Sequence, residues 1–251
     1  MGHMRFPLSN QSFWFHKLSN DRSQRGLITI PVDSEDWPDN WKKIEYKTYP
    51  YADTVYSLPP LQLEDALTDS WWSVISKRRS RRNFDERNIT VTFEQLSLIT
   101  KICFGEDEKS KRISPSAGAR YPLEYYLLIE RVTGVKRGIY HYNIKDHSLE
   151  RILRPENYET EVDSIFMPWV QESAVCVCIS SVFDRTMRKY GERGYRYILL
   201  EAGHIGQLLY ETCTLLDIAI TGLGAVNESY LEGKLGLSEN EESLIYTLPI
   251  G

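Results

Sequence analysis

Three kinds of stretch in this chain carry residues suited to chemistry rather than to packing alone. Lys189-Tyr190-Gly191 sets an amine and a phenol side by side, next to a residue that frees the backbone to turn. A lysine serves as a base where desolvation or neighbouring cations weaken its hold on a proton, and a tyrosine where a nearby lysine stabilises the phenolate. Lys77-Arg78-Arg79-Ser80-Arg81-Arg82 places five cations in six residues. Guanidinium forks pair bidentately with phosphate oxygens, and the hydroxyl of Ser80 adds a donor. Such a run is often only a solvated basic face. In a chain of net charge −5 a patch this dense calls for a local reason, and an anion clamp is the reading its chemistry favours. Two small-residue loops, Ser114-Pro115-Ser116-Ala117-Gly118-Ala119-Arg120 and Gly222-Leu223-Gly224-Ala225, let a backbone come close to something flat or charged.

The elements that must position these groups follow from periodicity. Ile198, Ala202, Ile205, Leu208, Leu209, Thr212 and Leu216 recur at three- and four-residue steps, so a long helix runs between Lys189-Tyr190 and the second glycine loop. A helix over 63–76 leads into the arginine run. A second amphipathic helix spans 92–103, with Thr92 as N-cap and Gln95 at capping-box spacing. Strands are expected at 125–129, at 138–142 paired with a return strand through 152, at 174–181 and at 242–249, with a strand exit near Thr221 or Asn227. Short helices fit 161–169 and 229–235. Cys176 and Cys178 alternate in AVCVCIS and share a strand face; buried small residues fit better than a disulfide or a CxC metal site. His141 and His147 have no metal-ligand spacing with other candidates and read as structural or surface residues. His204 and Glu201 lie one turn apart on the long helix and read as packing residues. The mixture of helices and strands is irregular, which favours α+β over alternating βαβ. Neither a GxGxxG after a strand nor a P-loop occurs, so a Rossmann or nucleoside-triphosphate reading has no support.

Residues 5–62 are turn-rich and aromatic and read as an extended arm laid over another surface, with Trp37, Trp41, Tyr46 and Tyr49 as anchors. Met1 to Met4 (MGHM) reads as a cloning remnant, and 63–251 as the main domain. A pI near 5.6 argues against a general binder of nucleic acid or anionic membrane. The sequence carries neither a membrane-length apolar run nor a signal-peptide pattern, so it reads as a soluble cytoplasmic protein.

Taken in order, RRSRRNF at 78–84, SPSAGARYPLEYYLL at 114–128 and KYGERGYRYILLEAGHIGQLLYETC at 189–213, then GLGAVNE and a closing LIYTLPIG, resemble the nitroreductase-like flavoproteins. More narrowly they look like the SagB-type dehydrogenases, azoline oxidases that form thiazole and oxazole rings in peptide natural products. The resemblance spans about residues 35–251. It implies a mostly antiparallel central sheet flanked by helices, in an interlocked homodimer with FMN at the interface. Carried over by position, Arg78, Arg79, Ser80 and Arg82 would contact the phosphate, ribityl chain and pyrimidine edge. Pro115, Ser116, Ala117 and Gly118 would come from the partner subunit and lie against the flavin. Gly224 and Ala225 would sit near the reactive N5 edge, and the family's Lys-Tyr pair falls on Lys189 and Tyr190. Two places depart from the pattern. Val226-Asn227 stands where an aromatic and an aspartate are common, and the chain stops at Gly251, where many relatives continue with a basic residue.

The implied reaction removes an acidic proton from an azoline ring, next to a carbonyl, while hydride leaves the neighbouring ring carbon for the flavin; oxygen would then reoxidise it. Lys189 and Tyr190 would act as a pair, one as base and one tuning it. The peptide would be carried by a synthetase carrier domain or belong to a precursor peptide. Two other readings stand beside this one: an NAD(P)H-dependent reductase of nitro, quinone or enone compounds, and a non-catalytic flavin-fold docking partner.

Overall fold

VCVCISSV is buried at nearly every position, which suits a strand covered on both faces. It forms β4 (Val175–Val182) at the heart of the computed structural model, which describes residues 11–12, 14–16, 69–84, 91–109, 111–153, 168–224 and 226–251. Beside it lie β1 (Leu123–Ile129) and β5 (Glu242–Ile250), with β2 (Gly138–Asn143) and β3 (Ser148–Leu153) beyond β1. Among the described residues the sheet order is β3-β2-β1-β4-β5. All neighbours are antiparallel. The two-residue period sorts the side chains between two cores. Val175, Val177 and Ile179 join Leu127 and Ile129 in the larger one, while Cys176 and Cys178 join Tyr126 and Leu128 in the smaller one. Both cysteines are free and buried, and burial raises the Cys176 thiol well above its ordinary range.

The larger core is roofed by helices. The expected start of the first helix at 63–68 lies outside the described residues; α1 spans Asp69–Lys77. In α2 (Phe93–Phe104) the capping box forms as expected. The Gln95 amide donates to Thr92 Oγ1 at 3.1 Å, and the Thr92 amide donates to Gln95 Oε1 at 2.9 Å. The long helix differs from expectation at its start. Lys189-Tyr190 close a separate helix, α3 (Phe183–Tyr190), which stops at Gly191 with φ +56°. After that corner α4 (Arg193–Leu215) runs for 23 residues, about 35 Å at ~1.5 Å per residue. Gly194 makes the corner possible, because a Cβ there would stand 3.0 Å from the Met187 Cα. Ile198, Ala202, Ile205, Leu209 and Thr212 form the buried stripe.

After α4 the chain does not form a named strand, but 219–223 runs extended along β5. Ala219 and Gly251 exchange amide bonds at 2.8 and 3.0 Å, and the Leu223 amide donates to the Thr247 carbonyl at 2.9 Å. Asn227 then caps α5 (Glu228–Leu235), its Oδ1 accepting from the Tyr230 amide at 3.3 Å. That is the bond an aspartate would accept at this place, so the departure from the common pattern keeps its local function. Of the expected helix at 161–169 only the end is described, as part of a 3₁₀ turn at Pro168–Val170. The arm's aromatic anchors, Trp37, Trp41, Tyr46 and Tyr49, lie outside the described residues. Residues 11, 12 and 14–16 are helical, and the buried His16 ties them to the domain, with Tyr195 Oη 2.6 Å from Nδ1 and Ser243 Oγ 2.6 Å from Nε2.

Candidate functional site

The loop before β1 is tightly wound. Gly118, Ala119 and Tyr121 all stand in the left-handed region, at φ 60°, 53° and 47°. For a non-glycine residue that costs on the order of 1–3 kcal/mol, and it persists only where surrounding bonds impose it. The bonds are present. The Tyr121 amide donates to Ser116 Oγ at 2.9 Å, Arg120 Nε donates to the Arg185 carbonyl at 2.8 Å, and Arg185 donates to the Tyr121 carbonyl at 3.2 Å. The Arg112 guanidinium lies 5.3 Å from the Tyr121 ring centre. Arg185 also pairs with Glu124 at 2.5 Å, and His141 Nε2 sits 2.9 Å from the other Glu124 oxygen. Burial pushes the Glu124 carboxyl up, but the bonds from His141 and Arg185 outweigh it and hold the group below its usual range.

This winding carries Gly118 against the end of α3. A Cβ at Gly118 would fall 2.7 Å from Lys189 Nζ and would overlap the Tyr190 hydroxyl. Lys189 Nζ lies 5.2 Å from the Tyr190 ring centre, and the Tyr197 ring meets Tyr190 edge-on at 5.1 Å. Pro115 and Gly118 are exposed, as is Lys189, while Ser116, Ala117 and Tyr190 are half-buried. The loop and the amine–phenol pair, separate in sequence, therefore form one surface on one chain. A neighbour expected only to pack lies beneath it: the buried Glu201 of α4 lines one small cavity with Ser114 and Tyr121 from either end of the loop, and the Ser116 hydroxyl pulls its carboxyl down against burial. Its signal in the sequence was a carboxylate inside the apolar stripe, between Ile198 and Ala202.

The arginine run stands elsewhere. Arg78 lies 5.6 Å from the Tyr210 ring centre, and Ser80 Oγ is 3.2 Å from the Tyr210 hydroxyl, which accepts from the Gly222 amide at 2.7 Å. Tyr210 therefore joins the run to the second glycine loop. Arg81 is committed to structure: it pairs with Asp217 at 2.8 Å, and its amide donates to the Ile220 carbonyl at 2.9 Å. Arg82 faces Trp169 at 5.9 Å, and Arg79 donates to the Ser76 carbonyl at 3.0 Å. Among the described residues Arg78, Arg79 and Arg82 have no carboxylate partner. Three guanidiniums without a carboxylate partner among the described residues, beside a hydroxyl, suit a phosphate-bearing ligand. Gly224 lines a cavity of about 280 Å³ with Phe15, His16, Leu199 and Tyr246; Ala225 lies outside the described residues. The Tyr246 ring is held between two glycines, since a Cβ on Gly206 would stand 2.6 Å from the ring and one on Gly222 would overlap its hydroxyl.

One chain does not bring the two groups together. Tyr197, at the loop end of α4, and Tyr210, at the arginine end, are about 20 Å apart along the helix at ~1.5 Å per residue.

Comparison with known proteins decides the family. The nitroreductase family model matches residues 75–251, which takes in both groups. The chain belongs to the nitroreductase family. This nitroreductase-family chain is 32% identical over 193 residues to a Methanocaldococcus jannaschii protein assigned to the nitroreductases, MJ1384, a match covering 76% of this chain and 95% of that one. It is 28% identical over 154 residues to the trifolitoxin-processing protein TfxB of Rhizobium leguminosarum bv. trifolii, covering 56% of this chain and 39% of TfxB. Among solved structures, a chain of the Escherichia coli microcin synthetase McbBCD complex, with truncated pro-MccB17 bound, superposes with a TM-score of 0.68 at 17% identity over 94% of this chain and 90% of that one. A nitroreductase-fold protein of Desulfovibrio desulfuricans, solved in complex with FMN, superposes with a TM-score of 0.50 at 15% identity, over 74% of this chain and 87% of that one.

Proposed function

We propose that the protein is an FMN-dependent dehydrogenase that oxidises a thiazoline or oxazoline ring of a peptide to the thiazole or oxazole, acting as a homodimer whose copies share each site. The observation that carries this reading is the meeting of the Lys189 amine, the Tyr190 hydroxyl and the wound Gly118 backbone on one exposed surface. FMN, when bound, supplies the acceptor for the hydride that leaves the ring. Arg78, Arg79, Ser80 and Arg82 would hold its phosphate, ribityl chain and pyrimidine edge, and Gly224 and Ala225 would approach its reactive edge. Pro115, Ser116, Ala117 and Gly118 of the other copy would cover its face, which accounts for the two groups standing toward opposite ends of α4 in a single chain. The proton leaves the carbon beside the carbonyl, taken by one of Lys189 and Tyr190 while the other tunes it. Lys189 is exposed in one chain, and a second copy packing over it would supply the desolvation that a lysine base needs. The names of TfxB and of the microcin synthetase complex support a peptide as substrate, carried by a synthetase domain or present in a precursor.

The test uses FMN-loaded protein and a thiazoline peptide. Tyr190→Phe and Lys189→Ala are each expected to lower kcat by about 10²-fold or more, the scale of a lost acid–base group. Unchanged turnover in both removes the reading. The likeness to MJ1384 favours a second reading, reduction of nitro, quinone or enone compounds by NAD(P)H. Anaerobic NADPH separates the two: rapid bleaching of the yellow protein supports the reductase, and bleaching by thiazoline but not by NADPH supports the oxidase.

A further inference from the structure

We propose that Glu201 is the positioning residue of this site, its carboxylate gripping the Ser116 hydroxyl from below and so seating the Ser114–Gly118 loop against Lys189 and Tyr190. This rests on the reading of loop and pair as one site. Glu201 is 5% exposed, in the middle of the stripe by which α4 packs on the core. A carboxylate is rarely tolerated there without a counter-charge. The described residues offer it no salt bridge; the Arg112 guanidinium, bonded at 3.0 Å to Glu106, pulls its carboxyl down from across the same cavity. The Ser116 hydroxyl, which accepts from the Tyr121 amide at 2.9 Å, pulls the carboxyl down against burial. Ser114, on the other side of Pro115, has a buried hydroxyl with no hydrogen-bond partner and lines the same small cavity as Glu201, Arg112 and Tyr121. The carboxylate therefore shares a cavity with one of the two hydroxyls that flank the proline of the loop, and the other acts on its charge.

The seat depends on the charge of Glu201. Burial pushes its carboxyl up to about 7, against the pull of the Ser116 hydroxyl and Arg112. The groups facing it from other elements are two phenols, a thiol and a guanidinium. Burial holds the β1 phenol Tyr125 above its ordinary range and pushes the α2 thiol Cys103 up to about 12. The guanidinium is that of Arg112, and the loop's own neighbour is the Tyr121 phenol. An ionised acceptor holds a hydroxyl about twice as strongly as a neutral one. The loop is then seated more firmly as pH rises through neutrality, and the Tyr121 amide, bonded to the same hydroxyl, reports it.

The experiment measures amide exchange at Tyr121 in the flavin-free protein between pH 6 and 8, corrected for base-catalysed exchange, alongside kcat against pH for FMN-loaded protein on a thiazoline peptide. In the unaltered protein, Tyr121 protection is expected to rise severalfold across this range, and kcat to gain a limb at the same pH. Glu201→Gln is expected to flatten both. Ser116→Ala, which leaves Glu201 in place, is expected to lower Tyr121 protection and make it independent of pH. Protection that is flat in the unaltered protein, or unchanged in both variants, overturns the proposal. Protection that follows Glu201 while no thiazoline turnover occurs upholds the seating and counts against the azoline reading instead.

Discussion

Gly118 shows how one missing methyl group can govern chemistry. Its φ of +60° suits glycine, and the atoms nearest a new Cβ are the far ends of Lys189 and Tyr190 rather than backbone. Gly118→Ala is therefore expected to cost only about 1 kcal/mol of stability, from the backbone conformation. It is also expected to displace both functional groups and cut turnover at least tenfold, a split that denaturant melts and steady-state rates resolve. Glu201 makes the opposite trade. Its carboxyl titrates near 7 in the folded chain against an ordinary 4.5. Between those values the folded protein keeps a proton that the unfolded chain has released, so rising pH removes stability across this window and leaves it lower above about pH 7. Glu201→Gln is expected to be more stable than the unaltered protein at pH 8 by roughly 1–3 kcal/mol, a few degrees in Tm, with the difference gone near pH 4. Equal melts at pH 8 would contradict this. The sequence displayed the arginine run and the Lys189-Tyr190 pair because residue type alone marks them. Glu201 was hidden because its meaning depends on what surrounds it, and the lack of a salt bridge to it among the described residues is a property of packing.

At the scale of the element, local rules read well and distant pairings did not. The Thr92–Gln95 capping box and the alternation of Cys176 and Cys178 depend on neighbours a few residues apart, and both formed as expected. The break between α3 and α4 escaped because α3 buries only Phe183, Thr186 and Met187, too few for a period to register. The extended run at 219–223 escaped because its bonds go to residues 247–251. Asn227 is a test of local reasoning. Asn227→Ala is expected to cost about 1 kcal/mol and fray α5, while Asn227→Asp keeps the cap; urea melts with amide exchange in α5 check both. In the loop, Ala119→Gly is expected to relieve the left-handed strain at φ 53° and hold or raise thermal stability. Tighter winding would then have been kept for position and not for stability.

For the whole molecule, the separation of the two residue groups along α4 is the feature that residue types and spacing could not convey; the family resemblance alone pointed to a second copy. Shared sites make a distinct prediction. Lys189→Ala and Arg78→Ala proteins, each inactive alone, are expected to recover about a quarter of full activity when unfolded and refolded together, because half the dimers are mixed and each mixed dimer has one intact site. No recovery would mean that each chain builds its site alone. The outer side of α4 offers Leu199, Leu200 and Leu215 at 37%, 55% and 61% exposure for such a contact. Tyr246 has a consequence of another kind. Its ring is a shim between Gly206 of the long helix and Gly222, leaving no room for a methyl group on either side. Sequence change here has a direction in time: the phenol has to shrink before either glycine can grow, so a lineage with a bulkier residue at 222 is expected to have lost the tyrosine first.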